Sequence, residues 1–186
     1  MTGKRNSARG AAAPAAALDI KALEHALAQA DAASAFCKEL ARWFQVRATE
    51  VALLRLENGL LKFLFPDELK TAGAIPLSSS SAIAAHTAAT RKVELFNTFA
   101  RVKHASIFES VRLGNSEQAD PAAQAPIQKL MSSPILDSQG VVLGVIQVCR
   151  KGYDAVSAGP DFTLDDLQVL ERASKVVATA DFVRNA

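Results

Sequence analysis

Between residues 141 and 148 the chain is apolar almost without alternation, and this run limits the possible folds more than any other feature. A strand with one wet face alternates apolar and polar residues, so Val142-Leu143-Gly144-Val145-Ile146 belongs to a strand covered on both faces. The run follows a second apolar segment, residues 129–137, through Asp137-Ser138-Gln139-Gly140, whose Asp and Gly suit a tight turn. The two segments therefore form a hairpin at the centre of a sheet. Beyond a loop at 152–161, Phe162-Thr163-Leu164-Asp165-Asp166 starts a helix in which Thr163 is the N-cap and Asp166 approximates a capping box. Leu164, Leu167, Leu170, Val177 and Ala180 give that helix its apolar stripe.

Upstream, apolar residues recur at helical spacing at Leu18, Leu23, Leu27, Phe36, Leu40 and Phe44, with a break near 31–34. Residues 50–56 and 60–65 flank Asn58-Gly59, a hairpin signal, and Pro66 ends the second strand. Residues 74–77 read as a short strand entering Ser78-Ser79-Ser80-Ser81, one of which is expected to cap the alanine-rich helix 82–91. A strand at 93–97, a helical pattern over 99–111 and a polar loop over 114–125 complete the chain. This order predicts an α+β fold with a central, largely antiparallel sheet of about six strands flanked by helices.

A chain of 186 residues, 49% of them hydrophobic, can bury one sizeable core. We expect a single domain over 18–186, preceded by a disordered, alanine-rich basic arm over 1–17 that has too little bulky apolar surface to offset its ordering entropy. Lys4, Arg5 and Arg9 lie in that arm; without them the net charge of +2 becomes about one negative charge. The folded part is therefore not a basic nucleic-acid binder. The arm has no apolar h-region, and no run of about 18 apolar residues could span a membrane, so a cytoplasmic location is expected. Two cysteines, Cys37 and Cys149, are too few for a disulfide framework or a paired zinc site and read as small buried hydrophobes. His25, His86 and His104 show no HExxH or paired spacing, so no metal is expected.

In their order and spacing, Ser81-Ala82-Ile83-Ala84, Val93-Glu94-Leu95-Phe96-Asn97, the Pro134 strand with its turn, the 142–148 run and Phe162-Thr163-Leu164-Asp165-Asp166-Leu167 resemble the GAF family, relatives of the PAS sensor domains. The likeness covers roughly residues 18–181 and implies a stand-alone GAF domain with its N- and C-terminal helices packed on one face. It also implies a ligand held between the sheet and the middle helices, and a homodimer formed through the first and last helices. Members that bind cyclic nucleotides carry Asn-Lys, then Phe, three residues, Asp-Glu. Here Lys151, Phe162 and Asp166 match, but Arg150 replaces the Asn and Leu167 the Glu, which argues against a cyclic nucleotide. Lys151 and Asp166 are then expected to form a structural ion pair. Bilin attachment and methionine sulfoxide reduction need reachable thiols, which neither cysteine is expected to supply.

The residues that could form a ligand site lie mid-chain. Ser80 and Ser81 precede a helix whose first N–H groups favour an anion or carbonyl oxygen, although a cap and a tight connection explain them as simply. Phe96, Phe99, Asn97 and His104 offer the mixture of apolar wall and few polar groups that a pocket needs. Gln147 interrupts the doubly buried strand and either points into the cavity or bonds a neighbouring loop. No residue pattern marks a catalytic site, and no enzyme activity is expected. Two functions remain: a sensor that binds a small ligand and signals to an effector protein through a helical dimer, or a ligand-free GAF scaffold for dimerisation or docking.

Overall fold

The computed structural model describes residues 18–99 and 125–184. The expected arm, and all but the ends of the helical pattern over 99–111 and the loop over 114–125, lie outside the described residues. Helices α1 (Ile20–Leu27) and α2 (Ala32–Phe44) open the chain, broken as the sequence suggests. A 3-10 turn at Ala48–Glu50 leads into β1 (Val51–Glu57) and β2 (Leu60–Phe65), followed by α3 (Asp67–Lys70) and β3 (Ala74–Pro76). Next come α4 (Ile83–Thr90), β4 (Glu94–Phe96), β5 (Ile127–Leu136), β6 (Val142–Lys151), α5 (Leu164–Val177) and α6 (Asp181–Arg184).

The strands form one six-stranded antiparallel sheet in the order β3-β2-β1-β6-β5-β4, so β6 is central. Alternate side chains of β1, β5 and β6 enter two separate apolar layers. Leu53, Met131, Ile146 and Val148 pack with α1, α2 and α5, whereas Leu54, Leu130, Val145 and Cys149 pack with α4 and Phe99. Each fully buried side chain of this size contributes roughly 1.5–3 kcal/mol. The expected placement of the first and last helices on one face is therefore what the structure has.

Both hairpins follow their turn residues. Asn58 and Gly59 adopt φ of 50° and 76°, the left-handed values that a two-residue turn with the twist of the flanking strands requires. At the β5–β6 turn, Asp137 Oδ1 accepts from the amides of Gln139 and Val141, each at 2.8 Å, and Gly140 turns the chain with φ of 79°. Within β6, Gly144 permits close approach to β1: a Cβ there would lie 2.1 Å from the Leu54 carbonyl oxygen.

The capping box at α5 forms as expected: Thr163 Oγ1 accepts from the Asp166 amide at 3.1 Å, and Asp166 Oδ2 accepts from the Thr163 amide at 2.7 Å. That engagement changes one expectation. Among the described residues no ion pair joins Lys151 to Asp166, because the Asp166 carboxylate closes the cap. The clasp between strand end and helix start is made one residue earlier, by Arg150. Its guanidinium lies 4.7 Å from the centre of the Phe162 ring and donates to the Phe44 carbonyl at 3.0 Å and more weakly to that of Gln45, at the end of α2. Burial lowers the Arg150 pKa, while Glu50 and Asp166 act in the opposite direction. Leu164, expected in the stripe of α5, is the first helical residue and is 69% exposed; Leu170, Ala173, Ser174 and Val177 form the buried face.

A buried carboxylate completes this corner. Glu50 accepts the Arg47 amide on one oxygen and the Lys151 amide on the other, both at 2.7 Å. We expect Gly144→Ala to lower stability by about 1–3 kcal/mol or more, because the backbone of β1 must move away from β6. Urea denaturation checks this, and an unchanged midpoint would refute the close approach.

Candidate functional site

On the α4 side of the sheet, polar side chains form a row across three adjacent strands. Glu94 on β4 pairs with Ser132 on β5, and Ser132 pairs with Gln147 on β6. Odd and even positions alternate faces, so matched register brings all three to the same face. Thr87 reaches the row from α4, whose other inward residues, Ile83, Ala84 and Ala88, are apolar.

The row is a continuous hydrogen-bond chain. Gln147 Nε2 donates to Ser132 Oγ at 3.2 Å, the Ser132 and Thr87 hydroxyls lie 2.7 Å apart, and the Thr87 hydroxyl also touches Glu94 Oε2. The single Thr87 hydroxyl proton therefore faces two acceptors, Glu94 Oε2 and Ser132 Oγ. Glu94 Oε1 meets His86 Nδ1 at 2.9 Å. Exposure falls steeply along the chain, from 58% for the His86 side chain to 16% for Glu94 and 0% for Thr87 and Ser132. The chain thus runs from solvent at His86 to a buried amide in the sheet.

The family profile for the GAF domain matches residues 29–180. The chain belongs to the GAF domain family. The fold of this GAF domain is shared by solved structures of low sequence identity. It is similar to the GAF domain of an Acinetobacter phosphoenolpyruvate-protein phosphotransferase, with 11% identity and a TM-score of 0.61 over 86% of this chain and 88% of that one. A methyl-accepting chemotaxis protein segment, residues 122 to 287, shares 16% identity with a TM-score of 0.59, covering 87% of this chain and 95% of the other. Free methionine-R-sulfoxide reductase from Neisseria meningitidis, solved in complex with its substrate, shares 12% identity with a TM-score of 0.58 over 88% and 86%. No curated protein sequence matches the chain. Identities this low establish the fold alone.

Within this GAF domain the residues singled out by sequence are dispersed. Gln147 and Phe99 are buried on the α4 side, and Phe96 is half-buried against the same layer. Among the described residues Gln147 bonds no loop; its amide joins the row. Asn97 has a different role from that of a pocket residue: its Nδ2 donates to the Phe162 carbonyl and its Oδ1 accepts from the Phe162 amide, both at 2.9 Å. This two-point pairing fixes the loop before α5, and it occupies both ends of the amide. Ser80 and Ser81 are exposed, and α4 is preceded by Ala82 with no side-chain cap, so the serines do not cap it as expected. Ser79 and Ser81 instead lie 3.4 Å apart, oxygen to oxygen. His104 lies outside the described residues.

Sequence reasoning missed Thr87, Ser132, Glu94 and His86. A signal for them exists, since Glu94 and Ser132 interrupt apolar strands and Thr87 stands among alanines on the inner face of a helix. Both cysteines are buried, and burial with the nearby Asp31 charge raises the Cys37 pKa, so the thiol stays protonated. Among the described residues, no group of three or more His, Cys, Asp and Glu side chains could hold a metal ion.

Thr87→Val keeps the side-chain shape and removes the central hydroxyl, leaving buried polar partners unpaired. We expect a loss of about 1–3 kcal/mol, against less than about 0.5 kcal/mol for Thr90→Val at the exposed end of the same helix. Equal effects in chemical denaturation would mean that the row carries no stability.

Proposed function

We propose that this GAF domain is a sensory or regulatory module that binds a small ligand on the α4 side of its sheet. The observation that carries the reading is the polar row from Gln147 to His86 within an otherwise apolar layer. Ligand sites combine an apolar wall with a few placed polar groups, and here Phe96 and Phe99 supply the wall. A ligand with a hydrogen-bond donor competes for Glu94, the half-buried member of the row beside His86, and changes how α4 is tied to β5 and β6. Occupancy then shifts the balance between two arrangements of α4.

The signal passes to an effector protein through a homodimer built on the first and last helices, in the cytoplasm. Leu27 and Phe182 support this reading: they are half-buried at the margin of the core and line a groove of about 420 Å³. Among the described residues no helix is long and apolar enough to cross a membrane. A ligand-free scaffold is the second reading, favoured by one observation: the row satisfies its own hydrogen bonds without a ligand.

A thermal-shift screen with nucleotides, amino acids and 2-oxo acids separates the two. A ligand at 100 times its dissociation constant stabilises the fold by about 2.7 kcal/mol. We expect one class to raise the melting temperature of the wild type and to lose that shift in Gln147→Leu. No shift with any class favours the scaffold. For the dimer, Leu27→Glu should convert the wild-type dimer to a monomer in sedimentation velocity, and an unchanged mass would refute this interface.

A further inference from the structure

We infer that the open edge of β5 carries a second site, which binds a small organic anion: a carboxylate or phosphate on an apolar body. Strand β4 pairs with β5 only as far as Ser132, whereas β5 continues to Leu136. The approach to β4 at residues 91–93 and the inner turn of α5 enclose this unpaired stretch, leaving a cavity of about 410 Å³. That volume lies within the range of ligand pockets, about 300–1,000 Å³.

The lining is apolar at its floor and cationic at its rim. Val93, Pro134 and Leu136 form the floor, all buried or half-buried. Arg91, Lys92 and Lys175 supply three positive charges against the single carboxylate of Glu171, which is already 3.1 Å from Lys175. Among the described residues no carboxylate pairs with Arg91 or Lys92. The cavity therefore keeps two uncompensated cations above an apolar floor, the arrangement that recognises an anion carried on a hydrocarbon or ring.

Two further features fit a small molecule better than an added peptide strand. Pro134 has no N–H to offer at the edge, which blunts β-strand addition. Arg91 holds φ of 56°, the left-handed position after a helix where glycine is the default residue. The chain keeps a long cationic side chain there despite that backbone preference. Ser174 is not a recognition group, because its hydroxyl already meets the Ser133 hydroxyl at 2.9 Å and the Leu170 carbonyl at 3.0 Å. The site shares no residue with the polar row under α4 and stands independently of the ligand proposed there.

Amide NMR titration of the full chain tests the site, with hexanoate, phenyl phosphate, inorganic phosphate and benzyl alcohol as probes. Saturable shifts are expected at Val93, Leu136 and Lys175 with hexanoate or phenyl phosphate, and the stronger of the two identifies the head group. Inorganic phosphate and benzyl alcohol, each lacking one half of the recognition, should bind about tenfold more weakly, as should the preferred anion to Arg91→Gln/Lys92→Gln. Added salt should weaken the organic anion further. The site is refuted if neither organic anion shifts these amides, if benzyl alcohol binds as well, or if the double variant, with an otherwise unchanged spectrum, keeps wild-type affinity.

Discussion

From Gly144 to Cys149, strand β6 has no face available to water. Val145, Ile146, Val148 and Cys149 are fully buried, and β1 and β5 flank the strand on both edges. The helices that pack on the sheet beside it cover both of its faces. Helices α1, α2 and α5 cover one side and α4 the other, so a chain with one such strand needs two apolar layers rather than one. Gly144 is part of the same constraint, because two strands buried this closely leave no room for a Cβ against the Leu54 carbonyl.

A doubly covered sheet makes any polar group within it costly unless it is paired, and the pairings mark where the layers are tied together. Glu50 binds two backbone amides at the corner where α2 meets β6, and buried Lys129 reaches Asp161 at 2.8 Å beneath the loop before α5. Ser133 meets Ser174 on the helical side. On the α4 side the corresponding tie is longer, running through Gln147, Ser132, Thr87 and Glu94 to an exposed histidine. It differs from the others in length, since Ser132, Thr87 and Glu94 link the buried Gln147 amide to His86, which is why the proposed ligand response is placed there. The family places the chain among sensory and regulatory small-ligand domains.

Much of the fold was legible because its signals are local. Asn58-Gly59 and Asp137 to Gly140 contain the residues that left-handed turn positions and side-chain-to-backbone turns require, and both hairpins formed there. Thr163 and Asp166 are three residues apart, the spacing that lets each satisfy the other's amide. The errors came where a local reading competed with a distant partner. Asn97 resembled a pocket residue until Phe162, 65 positions away, took both ends of its amide. Lys151 and Asp166 suggested an ion pair, but the cap claimed the carboxylate and Arg150 made the clasp across to α2.

By itself, the sequence determined the element types, the two turns, the cap and the presence of one strand that must be buried twice. Those follow from spacing and backbone preference within a few residues. Only the tertiary structure decided which polar residues share a face, because that depends on register between strands far apart in the chain. Glu94, Ser132 and Gln147 become neighbours solely through the pairing of β4, β5 and β6, and Thr87 joins them through the docking of α4. The apolar run at 141–148 required a cover on each side, and the packing of α4 supplied the one that carries the candidate site.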